Sequence, residues 1–300
     1  AKVVSPGEIY VKSISSSEHF SANPPFTDYD LEFYPCKEIY AKFGHVTSLS
    51  TKLQEQFDQA YGEECTSYIT GRNDGRRCTK KVNIKLEAGE EIGTTGGFKG
   101  AAAGLDFWLA DYRTEKISYA NPSRWGEVSF YITCPADYFI SDIRDKMYTM
   151  LTMSRVPKIE PICGTIEQDI TGTVQGVWFV KGTTNTYPED PHLALAHDNM
   201  HPSNEAFSVG ISLVDYGLTS GNYNFIPKNT GMVNRDFKDV KADGNVYCYD
   251  SLSGKFGDQI LKIIIIQLIN SATLRIEGKQ AESCDSGPWS FSSSVREFER

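Results

Sequence analysis

Short runs in which apolar and polar residues alternate recur from the start of the chain: EIYVKSI, YDLEFY, EIYAKF, VNIKL and LDFWLADY stand between turn signals as far as residue 113. A period of two sends alternate side chains to opposite faces, so these runs predict half-buried strands. The stretch NPSRWGEVSFYITCP at 121–135 reads as a connector plus one strand. Helical spacing occurs once, over 137–153, where Ile140, Ile143, Met147 and Leu151 recur; it predicts a packing helix. Pro157 and Pro161 then punctuate the chain. A second β-rich unit follows, built on VQGVWFV, AFSVGISLV, NVYCYDSL, KIIIIQLI and ATLRIEG. The run LKIIIIQLI at 261–269 is too short to span a bilayer as a helix, which takes about 20 apolar residues. Its four consecutive isoleucines predict a strand buried on both faces, and Asn-Ser after it predicts a hairpin turn.

Three hundred residues exceed one typical domain. The expected architecture is mostly β: a β domain over 1–117, a connector with one helix over 118–160, and a β-sandwich or barrel over 161–300. Apolar residues at 40% and charged residues at 23% place the chain among globular proteins. The net charge of −9, with no Lys/Arg-rich run, argues against a nucleic-acid partner, whose affinity rests on phosphate neutralisation. Seven cysteines suit an oxidising compartment and a secreted or cell-surface protein. Cys65 and Cys78 bracket a polar excursion with an Asn-Asp-Gly turn and are expected to be bridged, with Cys248 and Cys284 a second pair. The odd total leaves at least one thiol unpaired, and reduced, buried cysteines remain the alternative. None lies in a CxxC pair, so no cysteine zinc site is expected. The chain opens on AKVVSPGEIY, already patterned as strand and turn. Either a leader has been removed or an upstream part of the domain lies outside this sequence.

Four segments carry a resemblance. KFGHVTSLS at 42–50, LEAGEEIGTTGG at 86–97, AGLDFWLAD at 103–111 and the opening SPGEIYVKSI resemble the motifs of the lysostaphin-type peptidoglycan endopeptidases, a zinc-dependent family with a small β core. The similarity covers roughly residues 1–113. It implies that His45 matches a histidine that assists catalysis without holding the metal. The histidine-any-histidine pair of the family's last strand falls on Gly104 and Asp106. Gly104 can serve neither as base nor as ligand, whereas Asp106 can bind zinc through oxygen. The family's His-x-x-x-Asp motif belongs upstream of SPGEIYV, before this sequence starts. A catalytic zinc needs three protein ligands and an open position. The resemblance therefore implies a degenerate, non-catalytic domain, with Asp106 and Trp108 on a retained binding groove. For His45 a structural reading is favoured, its ring bonded to a backbone group at a strand end.

A second cluster lies in PHLALAHDNMHP, where His192, His197, Asp198 and His201 fall within twelve residues and are candidate ligands for zinc or another divalent metal. Pro191, Pro202 and Asp198-Asn199 predict a loop, in which Asp198 and Asn199 cap local backbone as the alternative to a metal site. GTTGGFKG lacks the Lys-Ser/Thr ending of a phosphate loop and precedes a strand, so it reads as a connection. Trp108, Trp125, Trp178 and Trp289 can line a sugar-binding face but are also ordinary β-domain core. There is no GxSxG motif. The resulting expectation is a non-catalytic binding or structural protein at the cell surface that needs no cofactor. Its partner is a cell-wall polymer or glycan, or further copies of itself in an oligomer or filament. The competing expectation is a zinc-dependent hydrolase using His45 and Asp106 with an upstream motif, or using the His192–His201 segment.

Overall fold

The computed structural model describes residues 1–70, 73–96, 104–151, 159–184, 192–210, 221–254, 262–285 and 287–300. Strands take 45% of the chain against 13% for helices, so the architecture is mostly β, with two β-rich domains. One compact unit comprises residues 1–117 and 126–144, the other 118–125 and 145–300.

The first unit is an antiparallel sheet whose long strands are β2 (Ile9–His19), β3 (Phe26–Cys36), β4 (Ile39–Leu49) and β6 (Asn73–Leu86). Around them lie β1 (Lys2–Val4), β5 (Glu64–Thr70), β7 (Glu91–Thr95), β8 (Asp106–Asp111) and β9 (Ile132–Thr133). The order is β1-β7-β4-β3-β2-β6-β5, and β8 pairs with β4 on one side and β9 on the other. One face is the core: Ile9, Val11, Ile14, Leu31, Phe33, Ala41, Phe43 and Ile84 pack there. Helix α1 (Thr51–Gln59) covers it with Leu53 and Phe57, one turn apart. Ser50 is the N-cap of this helix and accepts from the Leu53 N–H at 3.4 Å.

The second unit is an eight-stranded up-and-down meander of β10 (Gly176–Val180), β11 (His192–His197), β12 (Glu205–Val209), β13 (Gly221–Phe225), β14 (Tyr247–Tyr249), β15 (Ile263–Asn270), β16 (Thr273–Lys279) and β17 (Arg296–Glu299). β10 pairs with β17, and an isolated bridge from Asn224 of β13 to Ser253, beyond the end of β14, brings the two ends of the sheet together, so the meander curls into a barrel-like shape. Its interior is filled by one side chain set from every strand, including Trp178, Leu195, Phe207, Phe225, Tyr249, Ile264, Ile276 and Phe298. Ile263 to Ile266 are all buried, because alternate members face the barrel core and a smaller outer cluster around Cys248 and Cys284. The β15–β16 turn uses Ser271 and Ala272, one residue later than Asn-Ser implied, since Asn270 still pairs with Thr273.

The helix expected over 137–153 is shorter: a single 3-10 turn at Pro135–Tyr138 precedes α2 (Ser141–Met150), and 152–153 lie outside the described residues. None of its residues is buried, and Ile140, Ile143, Met150 and Leu151 are exposed, so the packing role does not hold. Cys65 is bonded to Cys78 and Cys248 to Cys284. Cys134 and Cys163 are also disulfide-bonded, and Cys36 is a free, exposed thiol. No described helix is long and apolar enough to cross a membrane.

Candidate functional site

The face of the first sheet opposite its core is polar. Along β3 the alternation places Asp28, Asp30, Glu32 and Tyr34 on this face, and their spacing spans about 20 Å. Each carboxylate is matched by a neighbouring strand. Asp28 receives His45 Nδ1 at 2.6 Å from β4 and His19 Nε2 at 3.0 Å from β2. Asp30 meets Arg77 at 2.5 Å and Lys42 at 3.0 Å. Glu32 accepts from the Ser13 hydroxyl at 2.7 Å. The hydroxyls of Ser15 and Thr79 pair at 2.8 Å in the same layer. A shallow pocket of about 440 Å3 lies where the strip reaches Tyr10, Lys12, Tyr34 and Lys37.

His45 does not close its strand. β4 runs on to Leu49, and His45 sits in an irregularity of the β3–β4 pairing with φ +58, the left-handed region that non-glycine residues seldom adopt. Its ring bonds a buried carboxylate and not backbone, so the expected structural role is corrected in its partner. Its second nitrogen lies 3.5 Å from Asp106 Oδ2, because Gly44 is registered against Asp106 across β4 and β8. Space at position 44 is tight: a Cβ there meets Asp30 Oδ1 at 3.0 Å and Asp106 Cβ at 3.2 Å, so those side chains would have to give by a few tenths of an ångström. The hydrogen bond to Asp28 holds the His45 imidazole above its ordinary pKa against the opposing effect of burial, with the charges of Asp28, Asp106 and Asp30 adding to it. Burial works against the Asp28 carboxylate, but the hydrogen bonds from His45 and His19 keep its pKa below the usual range.

The chain thus has a row His19–Asp28–His45–Asp106, continued by the Tyr68 hydroxyl, 3.2 Å from His19 Nδ1. Sequence reasoning missed His19, Asp28 and Tyr68. Asp28 lay within TDYDLEFY, whose alternation puts it on the polar face, but nothing local pairs it with a histidine 17 residues away. In this row His45 Nε2 and Asp106 Oδ2, 3.5 Å apart, are two ligand atoms that one ion could share. Among the described residues of this unit, the single group with three metal-ligand atoms in reach is Glu63, Cys65 and Cys78, whose cysteines are bonded to each other. The space in front of Gly104 is open, so no side chain is crowded out there. Trp108, on the same face of β8 as Asp106, is half exposed.

The second cluster is rearranged by the fold. The segment expected as a loop begins as β11, so His192 and His197 stand on opposite faces of one strand. Asp198 accepts from the Met200 N–H at 2.6 Å and the His201 N–H at 3.1 Å, capping the turn, and its other oxygen takes the Asn224 amide. His201 is exposed. The residues that do meet His197 are Glu205, opposite it on β12, and Asp236, neither of which was singled out from sequence. Glu205 is wholly buried; burial, with a hydrogen bond and the charge of Asp236, pushes its carboxyl up to about 9. No family model matches the chain, and neither the curated proteins nor the solved structures contain a match.

Proposed function

We propose that this is a secreted or cell-surface binding protein whose first unit holds a polar polymer, of the cell-wall or glycan class, on the open face of its sheet, without cleaving it. The observation that carries this reading is the strip of mutually paired side chains beside Trp108. Its carboxylates and bases are already held by each other, so the surface is preorganised and loses little side-chain freedom when it binds. A half-exposed indole at its edge supplies the apolar platform on which a sugar ring stacks. The donor set supports binding over hydrolysis. Among the described residues His45 and Asp106 supply two metal ligands, short of the three that a catalytic zinc takes. The disulfides support an oxidising compartment.

Co-sedimentation with purified insoluble peptidoglycan tests the reading. The wild type is expected in the pellet, and Trp108→Ala is expected to weaken binding about tenfold, the scale of one lost aromatic contact. Equal binding by Trp108→Ala sinks the assignment of the face. Release of soluble fragments that a chelator stops and zinc restores sinks the non-catalytic reading in favour of the hydrolase.

A further inference from the structure

The barrel interior is apolar except at one rim. His197 is the last residue of β11 and Glu205 the first of β12, directly opposite each other in the antiparallel register. Strand alternation turns His197 to the same side as Leu193 and Leu195, and Glu205 to the same side as Phe207 and Val209, which is inward. Asp236 caps the 3-10 turn Phe237–Asp239, and the Phe237 ring packs on Phe207, Phe225 and Tyr249 inside the barrel. Two carboxyl groups are therefore held side by side, Glu205 wholly buried and Asp236 nearly so, with an imidazole against them.

Such a pair is costly to bury unless a shared proton, positive charge or strong donors face it, and Glu205 is hydrogen-bonded to Asp236. The Phe237 N–H reaches the two Glu205 oxygens at 3.0 and 3.1 Å, and the Lys238 ammonium pairs with Asp236 from the solvent side. His197 Nε2 stands 3.7 Å from Glu205 Oε1, too far for a hydrogen bond. It is close to the separation of about 3.4 Å expected for two atoms bound to one tetrahedral zinc. One ligand atom from each of the three residues lies within 4.8 Å of the others.

A cleft of about 310 Å3 opens onto this rim, lined by His197, Gln168, Gln175, Glu160 and Glu167 among others. Two of its lining residues carry a buried polar atom with no hydrogen-bond partner, His197 Nδ1 and Gln175 Oε1. Orphaned buried polar atoms on a shared cleft mark a place where a ligand or its water belongs.

We propose that His197, Glu205 and Asp236 bind one divalent cation, zinc by their donor chemistry, at the plugged rim of the barrel, reached through this cleft. One imidazole and two carboxylates form a three-ligand set of the kind that leaves a position open for water. Lys238 is the chain's own stand-in for the cation on Asp236 and must leave when the metal arrives.

Zinc content after loading and exhaustive dialysis, together with calorimetric titration of zinc chloride, decides the matter, using the full chain carrying Cys36→Ser to remove the free thiol. One zinc per chain is expected, falling below a tenth in His197→Ala and in Asp236→Asn. Lys238→Met removes the competitor and is expected to tighten the Kd severalfold, while His201→Ala, at an exposed histidine outside the ligand set, leaves it unchanged. Circular dichroism of each metal-free variant checks folding; if Asp236→Asn is unfolded, the rim variant His197→Ala decides. Near-zero zinc in the parent chain, or equal zinc in parent and His197→Ala, overturns the proposal.

Discussion

His45 occupies a backbone conformation that costs of order 1–3 kcal/mol for a residue of its type, so its surroundings must hold it there. They do so through the ring, by Asp28, and through the carbonyl, which accepts from the Thr95 hydroxyl at 2.9 Å. The pairing of charge between His45 and Asp28 has a defined pH window. His45 is raised above 6.5, so its contribution is complete below that value and is lost as pH climbs through the folded pKa. Asp28 is lowered below 3.8, so its contribution is complete above that value and is lost as pH falls through the folded pKa. Asp28→Asn is therefore expected to destabilise the first unit most between pH 3.8 and 6.5, by about 1–3 kcal/mol in urea titrations. NMR titration of His45 in that variant is expected to give a pKa returned toward 6.5. An unchanged His45 titration removes Asp28 from its role. The motif around His45 is legible in the chain; its partner is not, because hairpin pairing and not sequence distance brings the carboxylate to the ring.

Among the elements, β5 contributes no residue to the first unit's core cluster and is held through its pairing with β6, which contributes Ile84 and Leu86. Cys65 and Cys78 face each other in the register of this pair and are bonded. The double variant Cys65→Ser, Cys78→Ser is expected to lower stability by about 3 kcal/mol for a loop of this length. Amide exchange is expected to accelerate in residues 64–70 first; uniform protection there contradicts the stapling role. Alternation located most strands correctly, since period two is imposed by a single buried face. It failed where that condition changes. Thr51 to Gln59 carries no helix expectation from the sequence, because the polar residues of this short amphipathic helix outnumber Leu53 and Phe57. At 137–153 the helical spacing is present, but the apolar positions are exposed, so spacing alone does not imply a buried partner.

For the molecule as a whole, the barrel stands on one continuous core in which Trp178 is fully buried and donates its indole N–H to the Val174 carbonyl at 2.8 Å. Trp178→Ala removes the largest of these side chains and leaves a void that eight paired strands cannot easily collapse. A loss of about 3–5 kcal/mol is expected, read as faster amide exchange across β10 to β17. Protection equal to wild type removes Trp178 from the core. Trp108, similar in sequence context, is instead half exposed on the open face of the other unit. The difference is that β8 shows one face to solvent, whereas a barrel encloses every inward residue.

The chain by itself determined that this is a β protein of two units, that Cys65 and Cys78 flank a polar excursion that a bridge would staple, and that four isoleucines are covered on both sides. These are consequences of local period and composition, which act over a few residues. Only the tertiary structure decided that His45 belongs with Asp28 and His19, and that His197 leaves His192 and His201 for Glu205 and Asp236. Polar side chains are chosen across strands by register, and register is settled by how the whole sheet buries its apolar face.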